Sequence, residues 1–100
     1  MKPQKVYRQG DVFLAKIQAV PTKAQIRQDR ILARGEATGH VHEVIGDAEM
    51  YERDGTLYLR VHSAAELRHE EHGTITLPKG SYEIGIQKEY TPEGWTRVVD

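Results

Sequence analysis

The chain contains no cysteine. Disulfides and thiolate metal sites are therefore excluded, and any bound metal must take nitrogen and oxygen ligands. Phenylalanine and tryptophan occur once each. Tyr7, Tyr51, Tyr58, Tyr82, Tyr90 and Trp95 read as core and rim residues rather than as a base-stacking platform. No apolar run approaches the roughly 20 residues of a membrane-spanning helix. Neither charge sign dominates, with 14 basic and 15 acidic side chains, so composition indicates no nucleic-acid or acidic-membrane partner. P-loop, G-x-G-x-x-G and serine nucleophile-elbow patterns are missing. The start, Met1-Lys2-Pro3-Gln4-Lys5, lacks the apolar stretch of a signal peptide, which makes a cytoplasmic location the expectation.

What is present is an ordinary globular balance, 38% hydrophobic and 29% charged over 100 residues. That length predicts a single domain, residues 1–100, able to bury a modest core. Strand signals dominate. The segments expected as strands are Asp11–Val20, Ile31–Ala33, His40–Ile45, Ala48–Arg53, Thr56–His62, Thr74–Leu77, Tyr82–Tyr90 and Trp95–Val99. Asp54-Gly55 is a strong hairpin signal between two of them. Thr22–Arg30 reads as a loop or one helical turn, Ser63–Glu66 as a brief helical turn, and Pro78-Lys79-Gly80-Ser81 as a turn. About eight short strands at this spacing predict an all-β fold, a small antiparallel β-barrel or sandwich. Exposed edges in such a protein favour a homo-oligomer.

The five histidines all fall between residues 40 and 72, and four form two tight pairs, His40-x-His42 and His69-x-x-His72. Residues two apart on a strand point to one face, so His40 and His42 can reach one ion. Positions three apart share a face on a helical turn but not on a strand. Either the second pair lies in a turn or bulge, or only one of its members joins the first. Imidazole and carboxylate suit zinc, iron, manganese, nickel or copper, and not calcium or magnesium. The expected cofactor is a divalent transition metal held by His40, His42, His69 and His72. Glu70 and Glu71 are candidates for ligand, outer-sphere or general-base roles. His62 stands alone and reads as structural or exposed.

Two resemblances add to this. Gly35-Glu36-Ala37-Thr38-Gly39-His40-Val41-His42, with Asp47 beyond it, resembles the first cupin motif, and Pro78-Lys79-Gly80-Ser81-Tyr82-Glu83 resembles the second, with Glu83 in the histidine position. That resemblance implies a cupin-like double-sheet barrel, with His40, His42 and Asp47 as ligands and Glu83 in place of a third histidine. Arg8-Gln9-Gly10-Asp11-Val12, the GEATGHVH run, His69-Glu70-Glu71-His72 and Gln87-Lys88-Glu89-Tyr90-Thr91-Pro92 also resemble small uncharacterised proteins of bacteria and phages.

The expected function is a metal-binding β-protein, with metal-assisted hydrolysis or hydration of a small-molecule substrate as the simplest chemistry. Two alternatives stand beside it. One is a metal-free acid–base pair of histidines, with an arginine such as Arg8, Arg34, Arg60 or Arg68 holding a phosphate. The other is a non-catalytic ligand-binding or phage or bacterial assembly module in which the histidines are structural.

Overall fold

Alternating apolar residues, interrupted by glycine and proline rather than by helix caps, build a protein of strands. The computed structural model describes residues 5–34, 39–86, 89–91 and 94–96. Gly35–Thr38 of the glycine-rich run, Gln87-Lys88, Pro92-Glu93 and the end of the closing strand from Arg97 lie outside them. The strands are β1 (Val6–Gln9), β2 (Val12–Ile17), β3 (Gln25–Arg27), β4 (Ile31–Arg34), β5 (Val41–Arg53), β6 (Thr56–Arg68), β7 (Ile75–Ile86), β8 (Glu89–Thr91) and β9 (Gly94–Thr96). Seven form one antiparallel sheet in the order β1-β2-β7-β6-β5-β3, with β4 also paired to β5, while β8 and β9 pair with each other. Among the described residues no helix occurs, and none is long and apolar enough to cross a membrane.

The sheet does not close. Its edges are β1, four residues long, on one side and the short β3 and β4 on the other, and no described pairing joins the two sides. Barrel closure needs strands staggered continuously around the axis; here the outer side of β5 is shared by β3 at Met50–Glu52 and β4 at Val41–Glu43. The expected barrel is therefore corrected to an open, bent antiparallel sheet.

Three long strands carry the fold. The predicted Asp54-Gly55 turn joins β5 to β6, with Arg53 opposite Thr56 and positive φ at both turn residues. Both strands continue beyond their expected ends through register shifts between Gly46 and Ala48 and between Val61 and Ala64. Such irregularities bend a strand without ending it. The expected helical turn at Ser63–Glu66 is therefore strand, because β5 and β7 both offer it ladder partners: Ala65 pairs with Gly46 and Leu77, Glu66 with Ile45 and Thr76. The expected turn at Pro78–Ser81 is also strand. Pro78 lies opposite Ala64 at the register shift, where a missing N–H is tolerated. In the segment read as loop, Gln25–Arg27 pairs with Met50–Glu52, and Arg27 bonds the Glu52 carboxylate at 2.8 Å.

The inward row is Val12 and Leu14 on β2, Val44, Ala48 and Met50 on β5, Leu59, Val61, Ala65 and Leu67 on β6, and Leu77, Tyr82 and Ile84 on β7. Burying a side chain such as Leu67 stabilises the fold by about 2 kcal/mol relative to exposing it. Tyr82 is wholly buried, so its hydroxyl needs a partner and donates to the Pro78 carbonyl at 2.6 Å. Burial pushes that phenol up to about 12. At one end of the sheet the start of β5, the end of β6, the β6–β7 connection and the β1–β2 turn meet.

Candidate functional site

His42 continues the inward row of β5 towards that end, two residues before Val44, and is only 6% exposed. A buried imidazole must find a partner. Its Nδ1 lies 2.8 Å from Oε1 of Gln9, itself 3% exposed. The Gln9 amide nitrogen donates at 2.9 Å to the carbonyls of Leu67 and Gly73. Those carbonyls can only accept, so the amide cannot be turned over without setting its oxygen against them. Oε1 therefore accepts, and Nδ1 of His42 carries the proton. Nε2 of His42 keeps its lone pair. Burial, reinforced by His69 and His72 and opposed by Asp11, lowers the His42 pKa from 6.5 to about 4, so the ring is neutral at pH 7.

His69 and His72 leave β6 in the bend between Arg68 and Ile75. The backbone N–H of Glu71 donates to Nδ1 of His69 at 2.9 Å and closes the turn. In its neutral form His69 therefore carries its proton on Nε2. Because the segment turns, both histidines reach His42: ring centroids are 4.3 Å apart for His42–His69, 4.6 Å for His69–His72 and 5.8 Å for His42–His72. His72 rests on Gly10 in the β1–β2 turn, where an added Cβ would stand 2.8 Å from Nε2.

His40 precedes β5 and joins from the side, 5.7 Å from the ring of His69. Its nitrogens face Glu71 at 3.6 Å and Glu70 at 4.0 Å, both carboxylates being 63% exposed. Thus His40, His42, His69 and His72 form one group, with Glu70 and Glu71 on its solvent rim. A cleft of about 410 Å³ opens beside His69, lined by Val41, Glu43, Arg68, His69, Glu70 and Thr74.

Of the ligands the cupin resemblance implies, Asp47 and Glu83 do not join this group. Asp47 accepts from the Ser63 hydroxyl at 3.0 Å, and Glu83 is exposed on β7. His62 pairs with Glu49 at 3.1 Å on the outer side of the β5–β6 hairpin. Two residues that sequence reasoning missed as parts of the site are Gln9 and Gly10. A glutamine bears no metal or acid–base signature, and the hint was confined to the Arg8-Gln9-Gly10-Asp11 run.

Two imidazoles on one tetrahedral ion, with nitrogens at about 2.0–2.1 Å from it, have ring centroids roughly 5 Å apart. The observed 4.3 to 5.8 Å spans that spacing. Even so, among the described residues no group of three or more histidine, aspartate or glutamate side chains is arranged as it stands to hold a metal ion. One physical obstacle is visible: the Nδ1 lone pair of His69 is taken by the Glu71 amide.

The chain belongs to a family described as a domain of unknown function, DUF8820, whose model matches residues 8–87. That span contains Gln9, Gly10 and the four clustered histidines. Comparison with curated proteins gave no match, and neither did comparison with solved structures.

Proposed function

We propose that this chain is a small metal-binding β-protein whose ion is taken by the imidazoles of His42, His69 and His72 with His40 beside them. The observation that carries this reading is the gathering of four imidazoles from two separate segments, with His69 in ring contact with each of the other three and His42 buried and neutral. Like-charged rings at this spacing would repel if protonated, and the buried His42 is neutral at pH 7, the state in which an imidazole can take a cation. Small rotations of the His69 and His40 rings, at a bend and beside a strand end, would complete the donor set. The ligands suit zinc, iron, manganese, nickel or copper. A bound ion would supply Lewis acidity next to the 410 Å³ cleft. The substrate would then be a small molecule, with Glu70 or Glu71 as the proton acceptor at the rim.

A second reading has its own observation. The His42–Gln9–Leu67/Gly73 network is complete without a metal, as expected of a non-catalytic module whose histidines lock a loop. Elemental analysis of untagged protein purified without a metal column, followed by Co²⁺ titration of the stripped protein, separates the two. One equivalent of bound ion, lost in His42→Ala, supports the first. A chain that takes up no Co²⁺ and melts at the same temperature with and without Zn²⁺ supports the second.

A further inference from the structure

We infer that Gln9 is the positioning residue of the histidine cluster: it fixes His42 as the Nδ1–H tautomer, so that Nε2 is the nitrogen presented for a ligand. This deepens the metal-binding reading and rests on it for the identity of that ligand.

The inference follows from hydrogen-bond chemistry. A neutral imidazole has one donor and one acceptor nitrogen, and its environment selects between two tautomers. Gln9 offers Oε1 to Nδ1 of His42 at 2.8 Å. A glutamine alone could present either end of its amide. Here the choice is removed by two fixed acceptors, the carbonyls of Leu67 and Gly73, each 2.9 Å from Nε2 of Gln9. All three contacts involve a buried side chain, so water does not compete for them on equal terms. Histidine ligands commonly donate their second N–H to a carboxylate, carbonyl or water, which sets ring orientation and basicity. Gln9 supplies such an acceptor without adding a charge.

The same residue ties the elements that bring the other imidazoles in. Leu67 is the penultimate residue of β6 and Gly73 follows His72, so one amide bridges the ends of the segment bearing His69 and His72. Its neighbour Gly10 carries the backbone against which His72 packs. Gln9 thus acts on the cluster in two ways, by tautomer and by tether, and substitutions can separate them. Gln9→Glu keeps an acceptor for His42 but has no donor for the two carbonyls. Gln9→Leu has neither.

The test combines long-range ¹H–¹⁵N NMR of the histidine rings in metal-free protein at neutral pH with Co²⁺ titration of the same samples. The wild type is expected to show His42 protonated at Nδ1. Gln9→Leu is expected to show mixed tautomers and Co²⁺ binding weakened roughly 10- to 100-fold. Gln9→Glu is expected to keep the Nδ1–H tautomer. Wild-type His42 protonated at Nε2 would overturn the inference, and this measurement needs no variant to fold. An unchanged tautomer in folded Gln9→Leu would overturn it as well, whatever happens to Co²⁺ binding, because Gln9 would then act as a tether only. If the wild type binds no Co²⁺ but its tautomer depends on Gln9 as stated, the metal reading fails and the role of Gln9 stands.

Discussion

The imidazole of His72 lies against Gly10, so close that a Cβ on Gly10 would stand 2.8 Å from Nε2 and 3.3 Å from two ring carbons. Gly10 also has a φ of +61°. Glycine is thus required there twice, for the turn between β1 and β2 and for the approach of the ring. Gly10→Ala should cost about 1 kcal/mol in backbone strain alone, a fall in melting temperature of roughly 4–8 °C for a chain of this size. It should also displace His72 from His42, seen as altered ring shifts for both in NMR spectra. A variant with unchanged His72 shifts would mean that the ring does not rest on this turn.

Gly46 supports the bend in β5 and should be less tolerant. Its φ is +122°, and an added Cβ would meet the Ala64 carbonyl oxygen and the Ala65 Cα at 3.0 Å. Both obstacles are backbone within a paired strand, so neither can swing aside. Gly46→Ala should destabilise by about 2–3 kcal/mol, more than Gly10→Ala. Urea denaturation of the two variants, compared at equal slope, checks the order.

In metal-free protein, stability should fall on acidification through the range set by His42. Its pKa is 6.5 in the unfolded reference and about 4 in the fold. Between those values the unfolded chain holds more protons than the folded one, so stability rises with pH there. The contribution is fully present above pH 6.5, drains as pH falls towards 4, and changes no further below that. Its size is up to about 3 kcal/mol. Melting curves of wild type and His42→Ala from pH 4 to 7.5 should converge on acidification. Parallel curves would show that His42 is not the titrating group.

Removing His42 should matter far more than removing His62. His42→Ala leaves Oε1 of buried Gln9 without its donor and opens space beside Val44, a loss of about 1–3 kcal/mol. It should also abolish uptake of Co²⁺. His62 is an exposed partner of Glu49 on the outer face, and its replacement by alanine should leave both melting temperature and metal content unchanged. Equal metal content in the two variants would reassign the site.

Much of this molecule could be read from particular residues. Alternation in Leu57-x-Leu59-x-Val61 and the Asp54-Gly55 turn specify a hairpin by local chemistry, because strand side chains alternate faces and the turn tolerates positive φ. The absence of cysteine limits any ion to nitrogen and oxygen donors, while His40, expected on one strand with His42, precedes β5 and meets the group through His69. The lengths of β5, β6 and β7 were not legible. Ser63–Glu66 and Pro78–Ser81 carry local turn signals, and ladder bonds from neighbouring strands override them. Nor could spacing decide whether the second histidine pair joins the first, since that depends on a bend closed by the Glu71 N–H and His69 Nδ1. Gln9 is the clearest case. A glutamine bears no metal or acid–base signature, and its role arises because folding sets a β1 amide between a β5 imidazole and two carbonyls that flank the second histidine pair. The sequence by itself determined the strand-rich class, the Asp54-Gly55 hairpin and the exclusion of thiolate donors, because these depend on local periodicity and residue type. The open sheet, the four-imidazole group and the His42 tautomer were decided by contacts between residues distant in the chain, which only the tertiary structure brings together.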